Sequence, residues 1–154
     1  MNRILIIIFL IISFNLSSQK VICHSLSFQD ECVLINRVLE EFVCDTNVVV
    51  MYNGLVPLYP GLQGVTWQYE KKLYVINLNF LIPPSKNRVM VILHEMGHVI
   101  DLYEEILTTS PFTWKGEEIN ENIPYNERPW EKSADEWADI LWDCLIDKTK
   151  LKQR

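Results

Sequence analysis

His94-Glu95-Met96-Gly97-His98 sets two imidazoles four residues apart with a carboxylate beside the first. On a helix, residues i and i+4 lie on one face about one turn apart, so both rings can turn a nitrogen toward a single divalent ion. Glu95 projects from the adjacent strip, where it can take a proton from water that such an ion acidifies to a pKa of roughly 7. The pattern predicts zinc held by His94 and His98, with Glu95 as general base. The chain has three histidines and two of them bracket this glutamate, which makes a chance pair on an amphipathic helix the weaker explanation.

Two histidines leave a catalytic zinc site one protein ligand short, the fourth position being kept for water. Asp101 follows on the same side of the helix, but its rise from His94 is about 10 Å, so it is the lesser candidate, better suited to holding another residue or pairing at the surface. Glu131 is the stronger one. It opens a second helical pattern in which Pro129 suits the first turn and Trp130, Ala134, Trp137, Ala138, Leu141, Trp142 and Leu145 recur on one face. Asp135 stands one turn beyond Glu131 on the same face, placed to hold a ligating histidine by its other ring N–H. The competing reading of both is a pair of solvated charges in an acidic protein.

His94-Glu95-x-x-His98 followed by Glu131-x-x-Ala134-Asp135 resembles the zincin metallopeptidases, in particular the gluzincin branch, whose third zinc ligand is a glutamate on a later helix. The resemblance covers roughly Ser85 to Asp147 and implies zinc, a glutamate base and peptide-bond hydrolysis. Departures from the better-known members bear on substrate range and on the third ligand. The segment from Val99 to Trp130 is longer than in thermolysin-like enzymes, the chain has no room for their large second lobe, and no metzincin-type Gly and third His follow His98.

The elements that must position these residues are legible in outline. Pro83-Pro84 precedes Ser85, a good N-cap, and Val89, Ile92, Leu93, Met96, Ile100 and Tyr103 then repeat at helical spacing. Gly97 inside that helix costs about 1 kcal/mol against Ala, which points to close approach of a neighbouring element. Upstream, Val48 to Met51, Gly64 to Tyr69 and Leu73 to Phe80 read as strands, with Glu70-Lys71-Lys72 as a hairpin connection and the last strand partly buried. A small antiparallel or mixed sheet is therefore expected, and either Gly64–Tyr69 or Leu73–Phe80 is a candidate edge for extended substrate. Phe28, Cys32, Ile35, Leu39 and Phe42 mark a helix before it. Thr108 to Pro124, polar and broken by Pro111, Gly116 and Pro124, reads as a surface loop at the rim of the cleft. Tyr103 and Tyr125 are candidate donors to a developing oxyanion.

Met1-Asn2-Arg3 followed by the apolar run Ile4 to Phe14 and by Ser17-Ser18 reads as a signal peptide over residues 1–18, which predicts a secreted or periplasmic protein. The run is shorter than the roughly 20 residues of a membrane span, so no stable membrane association is expected after cleavage. Residues 19–154, roughly 135 in number, suffice for one domain. Export permits disulfides among Cys23, Cys32, Cys44 and Cys144. Cys32 falls on the apolar stripe and reads as a buried thiol. Cys32 and Cys44 on one continuous helix would stand about 18 Å apart, and a link from the N-terminal region to Cys144 is the pairing expected. The net charge of -6, from 14 basic and 20 acidic residues, argues against nucleic acid as a partner.

The expectation is an exported, monomeric, single-domain α+β protein of zincin-like build, with a small sheet packed on the active-site helix and a C-terminal helix. His94, His98 and Glu131 hold Zn2+, Glu95 is catalytic, Asp135 supports His94 or His98, and the substrate is a peptide or protein. Two rivals stand beside it: a non-catalytic zincin-like binding domain with a structural metal, and a hydrolase of cell-wall amide cross-links.

Overall fold

A computed structural model describes residues 21–23, 29–42, 46–52, 63–79, 85–120 and 122–151. The expected signal segment 1–18 lies outside them, as does Phe28. The fold is α+β. In chain order it runs β1 (Val21–Cys23), α1 (Gln29–Phe42), β2 (Asn47–Tyr52), β3 (Gly64–Glu70), β4 (Leu73–Leu78), α2 (Lys86–Tyr103), the short strands β5 (Leu107–Thr109), β6 (Phe112–Trp114) and β7 (Glu117–Glu118), a 3-10 turn (Tyr125–Glu127) and α3 (Pro129–Leu151). Among the described residues no helix is long and apolar enough to cross a membrane.

The main sheet is mixed, in the order β1-β2-β4-β3, with β1, β2 and β4 parallel and β3 antiparallel to β4. The hairpin turns at Lys71-Lys72, where Lys72 takes a positive φ of 65°, and β3 is left as an edge strand. That settles which candidate borders the cleft: β4 is interior. The sequence predicts β4 as partly buried, yet Tyr74 to Leu78 are all buried, because this strand has neighbours on both edges and cover on both faces.

Register decides which side chains of β3 meet the helices. Gly64 pairs with Leu78 and Thr66 with Ile76, while Val50 pairs with Ile76 and Val48 with Tyr74. Since side chains alternate across a strand, Gly64 and Thr66 share a face with Val48, Val50, Tyr74, Ile76 and Leu78. That rank joins Ile35 and Leu39 of α1 and Ile92, Leu93, Met96 and Val99 of α2 in one core.

The α2 helix starts where Ser85 caps it, the hydroxyl accepting from the Arg88 N–H at 3.4 Å. It ends in a left-handed residue, Glu105 (φ 57°), with the Ile106 N–H donating to the Asp101 carbonyl oxygen at 2.9 Å. From Ile92 to Leu102 every residue but His94 is buried, because α2 is enclosed by α1, β3 and α3. Arg88 ties its first turn to α1 through Glu31, Nε to Oε1 at 3.1 Å.

Two expectations fail here for physical reasons. Thr108 to Pro124 carries β5, β6 and β7 rather than an irregular loop: Lys115 and Gly116 both take positive φ, turning a chain with few apolar residues tightly back on itself. The cysteine scheme is also corrected. Cys32 is disulfide-bonded, with its partner among side chains not described, whereas Cys144 is a free thiol and takes no part in a link to the N-terminal region.

Gly97 is explained by α3. A Cβ there would stand 2.9 Å from Ala134 Cα and from Trp137 Cβ and 3.0 Å from the Ala134 carbonyl oxygen, inside ordinary contact. Gly97→Ala should therefore lower stability by about 1–3 kcal/mol through overpacking, outweighing a helix-propensity gain of about 1 kcal/mol. Urea unfolding checks this: the midpoint falls while the slope is unchanged.

Candidate metal centre

The close approach of α2 and α3 brings four side chains together across the helix pair. His94 Nε2 lies 3.3 Å from Glu131 Oε2, and His98 Nε2 lies 3.4 Å from the same oxygen. The two rings stand edge to face, their centres 4.9 Å apart. One ligand atom from each of His94, His98 and Glu131 fits within a 4.8 Å cluster, so the group can hold a metal ion. Ligand atoms of a tetrahedral ion with bonds of about 2.0–2.1 Å stand about 3.3–3.4 Å apart, and both histidine-to-glutamate separations match that edge.

Asp135 completes the arrangement from outside. Its Oδ1 is 2.8 Å from His94 Nδ1, so the ring can donate from Nδ1 and keep the Nε2 lone pair for an ion. The carboxylate is 75 % exposed, against 13 % for Glu131. One acid of this helical pair is thus solvated and the other is enclosed. His98 has no such partner: among the described residues its buried Nδ1 meets no acceptor.

Of the two roles expected for Asp101, surface pairing fails and holding another residue is what the structure shows. Asp101 is fully buried rather than at the surface, and it is not part of the ligand cluster. Its Oδ1 accepts from Trp137 Nε1 at 3.1 Å, a bond between α2 and α3 one turn beyond the histidines. Sequence spacing put Asp101 on the His94 side of the helix, and α3 covers that side.

Glu95 lies with its carboxylate against β3. Thr66 donates its hydroxyl to Glu95 Oε2 at 2.7 Å, and that hydroxyl oxygen, Thr66 Oγ1, lies 3.2 Å from the Glu95 backbone carbonyl oxygen. Gly64 leaves the space for the other oxygen: a Cβ there would collide with Oε1 and approach Cδ to 2.8 Å. Burial pushes the Glu95 pKa up, only partly offset by His98, the Thr66 hydrogen bond and His94. A carboxylate held this way has an increased appetite for a proton, the property a general base requires.

Glu131 behaves in the opposite sense. Burial opposes its charge, but hydrogen bonds from His94, His98 and Tyr125 outweigh that and hold it well below the usual carboxylate range. His94 is the counterpart. Burial again opposes charge, and Glu131, Glu95 and Asp135 overcome it, raising the imidazole to about 9. Without an ion, a protonated His94 stands where the ion's charge would be.

These groups open into a cleft of about 310 Å³. Gly64, Val65 and Thr66 of β3 form one wall. Leu102, Leu107 and Phe112 form an apolar one, Tyr125 and Arg128 enter ahead of α3, and Trp130 enters from its first turn. Phe112 stacks edge to face on Trp130 at 5.1 Å, so the segment read as a rim loop does border the cleft, as ordered strands. Of the two tyrosines considered, Tyr125 lines the cleft, whereas Tyr103 lies beside Tyr74, whose hydroxyl is pushed up to about 12 by burial and by Tyr103 and Glu105.

No protein family, characterised protein or solved structure matches the chain.

Sequence reasoning had Gly64 and Thr66 on a candidate substrate edge but missed their contact with Glu95, and it missed Arg128 and the apolar wall. Gly64 alone carried a signal, as a glycine opening a predicted strand, which marks close approach of another group. Thr66 carried none, since nothing local links it to a glutamate on a later helix.

Two outcomes follow. Asp135→Asn should weaken zinc binding about 10–100-fold, Glu131→Ala should weaken it more, and Asp101→Asn least, all read by competition with a chromogenic chelator. In chelator-treated protein, the stability contributed by protonated His94 is fully present below its ordinary pKa of 6.5 and is lost as pH rises through about 9. Urea titrations across that interval should show metal-free stability falling; a flat profile would remove His94 from this role.

Proposed function

We propose that the protein is an exported zinc-dependent metallopeptidase of zincin-like type. The observation that carries the reading is the juxtaposition of an N, N, O ligand set, His94, His98 and Glu131, with the buried carboxylate of Glu95 in the same cleft. The ligand set alone is shared with non-haem iron centres. What favours hydrolysis is Glu95: a structural metal has no use for a base, and it closes its fourth position with a protein ligand.

Zinc, when bound, supplies a Lewis acid that acidifies water and polarises a carbonyl. The chain's own residues do the rest. Glu95, clasped by Thr66 against Gly64, accepts the proton of the attacking water and returns it to the amide nitrogen as the C–N bond breaks, so that water is consumed and an acid and an amine are released. Glu131 would offset the charge of a bound ion, and Asp135 keeps His94 in the tautomer that offers Nε2. Tyr125 stands half-exposed at the cleft with its phenol kept protonated, the pKa raised by partial desolvation and by the Glu131 carboxylate beside it, and it is the cleft residue suited to a developing oxyanion. Leu102, Leu107, Phe112 and Trp130 limit the water around it.

A peptide substrate is favoured by β3. This edge strand runs beside the glutamate, and an extended peptide can pair with such an edge by main-chain hydrogen bonds. Export is supported by the disulfide at Cys32, since such bonds persist in oxidising compartments. The acidic balance disfavours nucleic acid as a partner, and the protein is proposed to work as a monomer.

The test is zinc content of the purified protein together with chelator-sensitive cleavage of a mixed peptide library. One zinc per chain is expected, and Glu95→Gln should keep the zinc while cleavage falls by about 10²–10⁴-fold. Zinc without cleavage in the unmodified protein would favour a binding module, and protein that takes up no zinc would overturn the reading.

A further inference from the structure

Arg128 is the one Lys or Arg among the described residues that line the cleft, and the proposed hydrolysis makes no use of it. It is not a loose surface cation. Its Nε donates to the Ile123 carbonyl oxygen at 3.0 Å, and its guanidinium carbon stands 5.7 Å from the ring centres of both Tyr125 and Trp130. A backbone anchor and two aromatic faces thus fix the group at the mouth of the cleft, just ahead of Glu131.

The charges around it are otherwise engaged. Glu131 faces His94 and His98, and Glu95 faces Thr66. Among the described residues no carboxylate pairs with Arg128. With Nε occupied, its two terminal NH2 groups remain as a planar fork, which matches both oxygens of a carboxylate. Lysine offers a point charge instead of a fork. The fork is largely pre-ordered, so little side-chain freedom is lost on binding. The net charge of -6 does not prevent this, because charges beyond a Debye length of about 8 Å are largely screened at physiological salt.

We propose that Arg128 forms a carboxylate subsite, and that the cleft selects amides carrying a free carboxylate close to the bond presented to the metal centre. The shared chemistry has two sources, an Asp or Glu side chain or the α-carboxylate at a chain end. The inference rests on the peptidase reading for the bond that reacts; anion selection rests on Arg128 itself.

The test uses zinc-loaded full-length protein and reads binding rather than turnover. Short peptides bearing a metal-binding hydroxamate are compared in two pairs by calorimetry: one pair differs only in Asp against Asn beside the hydroxamate, both C-terminally amidated, and the other only in a free against an amidated C-terminus. A charge-assisted forked pair predicts a preference on the order of tenfold or more for the anionic member of one pair. Preference in the first pair assigns the subsite to an acidic side chain, and in the second to a chain end.

Arg128→Met should bring that ratio close to one, and Arg128→Lys should restore only part of it, with zinc content and melting temperature showing that each variant is folded. Equal binding within both pairs, or a preference that survives Arg128→Met, would overturn the proposal. Hydroxamates that bind with the predicted preference to a protein that cleaves no peptide would uphold the subsite and remove the peptidase reading; loaded protein that binds no hydroxamate would remove both.

Discussion

The contact between Gly97 and Ala134 is the constraint on which the rest of the site depends. Two helices can approach this closely only where one leaves room, and here Gly97 sets a bare hydrogen against the Ala134 backbone and the Trp137 Cβ. The approach sets the axial register of α3 against α2. Glu131 then falls opposite both histidines, Asp135 opposite the outer nitrogen of His94, and Trp137 opposite Asp101. Shifting α3 by one residue would rotate those acids about 100° around its axis, since a turn holds about 3.6 residues.

The same geometry explains how a carboxylate-rich cluster is tolerated inside a small fold. Burying a charge is costly unless it is paired and hydrogen-bonded. Glu131 and His94 satisfy each other, Asp135 keeps most of its hydration, and Glu95 meets the cost by binding protons more readily. Environment thus gives three acids within one cluster three different characters. Their identity as acids is a property of sequence, but the division of labour among them belongs to the packing.

That distinction marks what was legible beforehand. Helical periodicity and the Ser85 and Pro129 signals located both helices, and spacing alone placed His94 with His98 and Glu131 with Asp135. Strand signals located β2, β3 and β4 to within a residue or two. What could not be read was anything that depends on one element covering another. Asp101 looks like a surface acid until α3 is laid over it, β4 looks half-exposed until β3 takes the edge, and Thr66 meets Glu95 only through the register of β3 against β4. The β5–β7 segment escaped because its strands are two or three residues long, too short for alternation to register.

The ligand set is divided between α2 and α3, with the whole β5–β7 segment and the 3-10 turn strung between His98 and Glu131. An ion bound there is a reversible cross-link that closes this long loop, and loop closure is a cost the folded chain then no longer bears alone. Because an ion that binds the folded state adds stability as RT ln(1 + [L]/Kd), an ion held by this cluster would dock α3 more firmly as its free concentration rises. Phe112 stands on that loop and Trp130 on α3, so an ion bound at the cluster would also steady the wall of the cleft that they form.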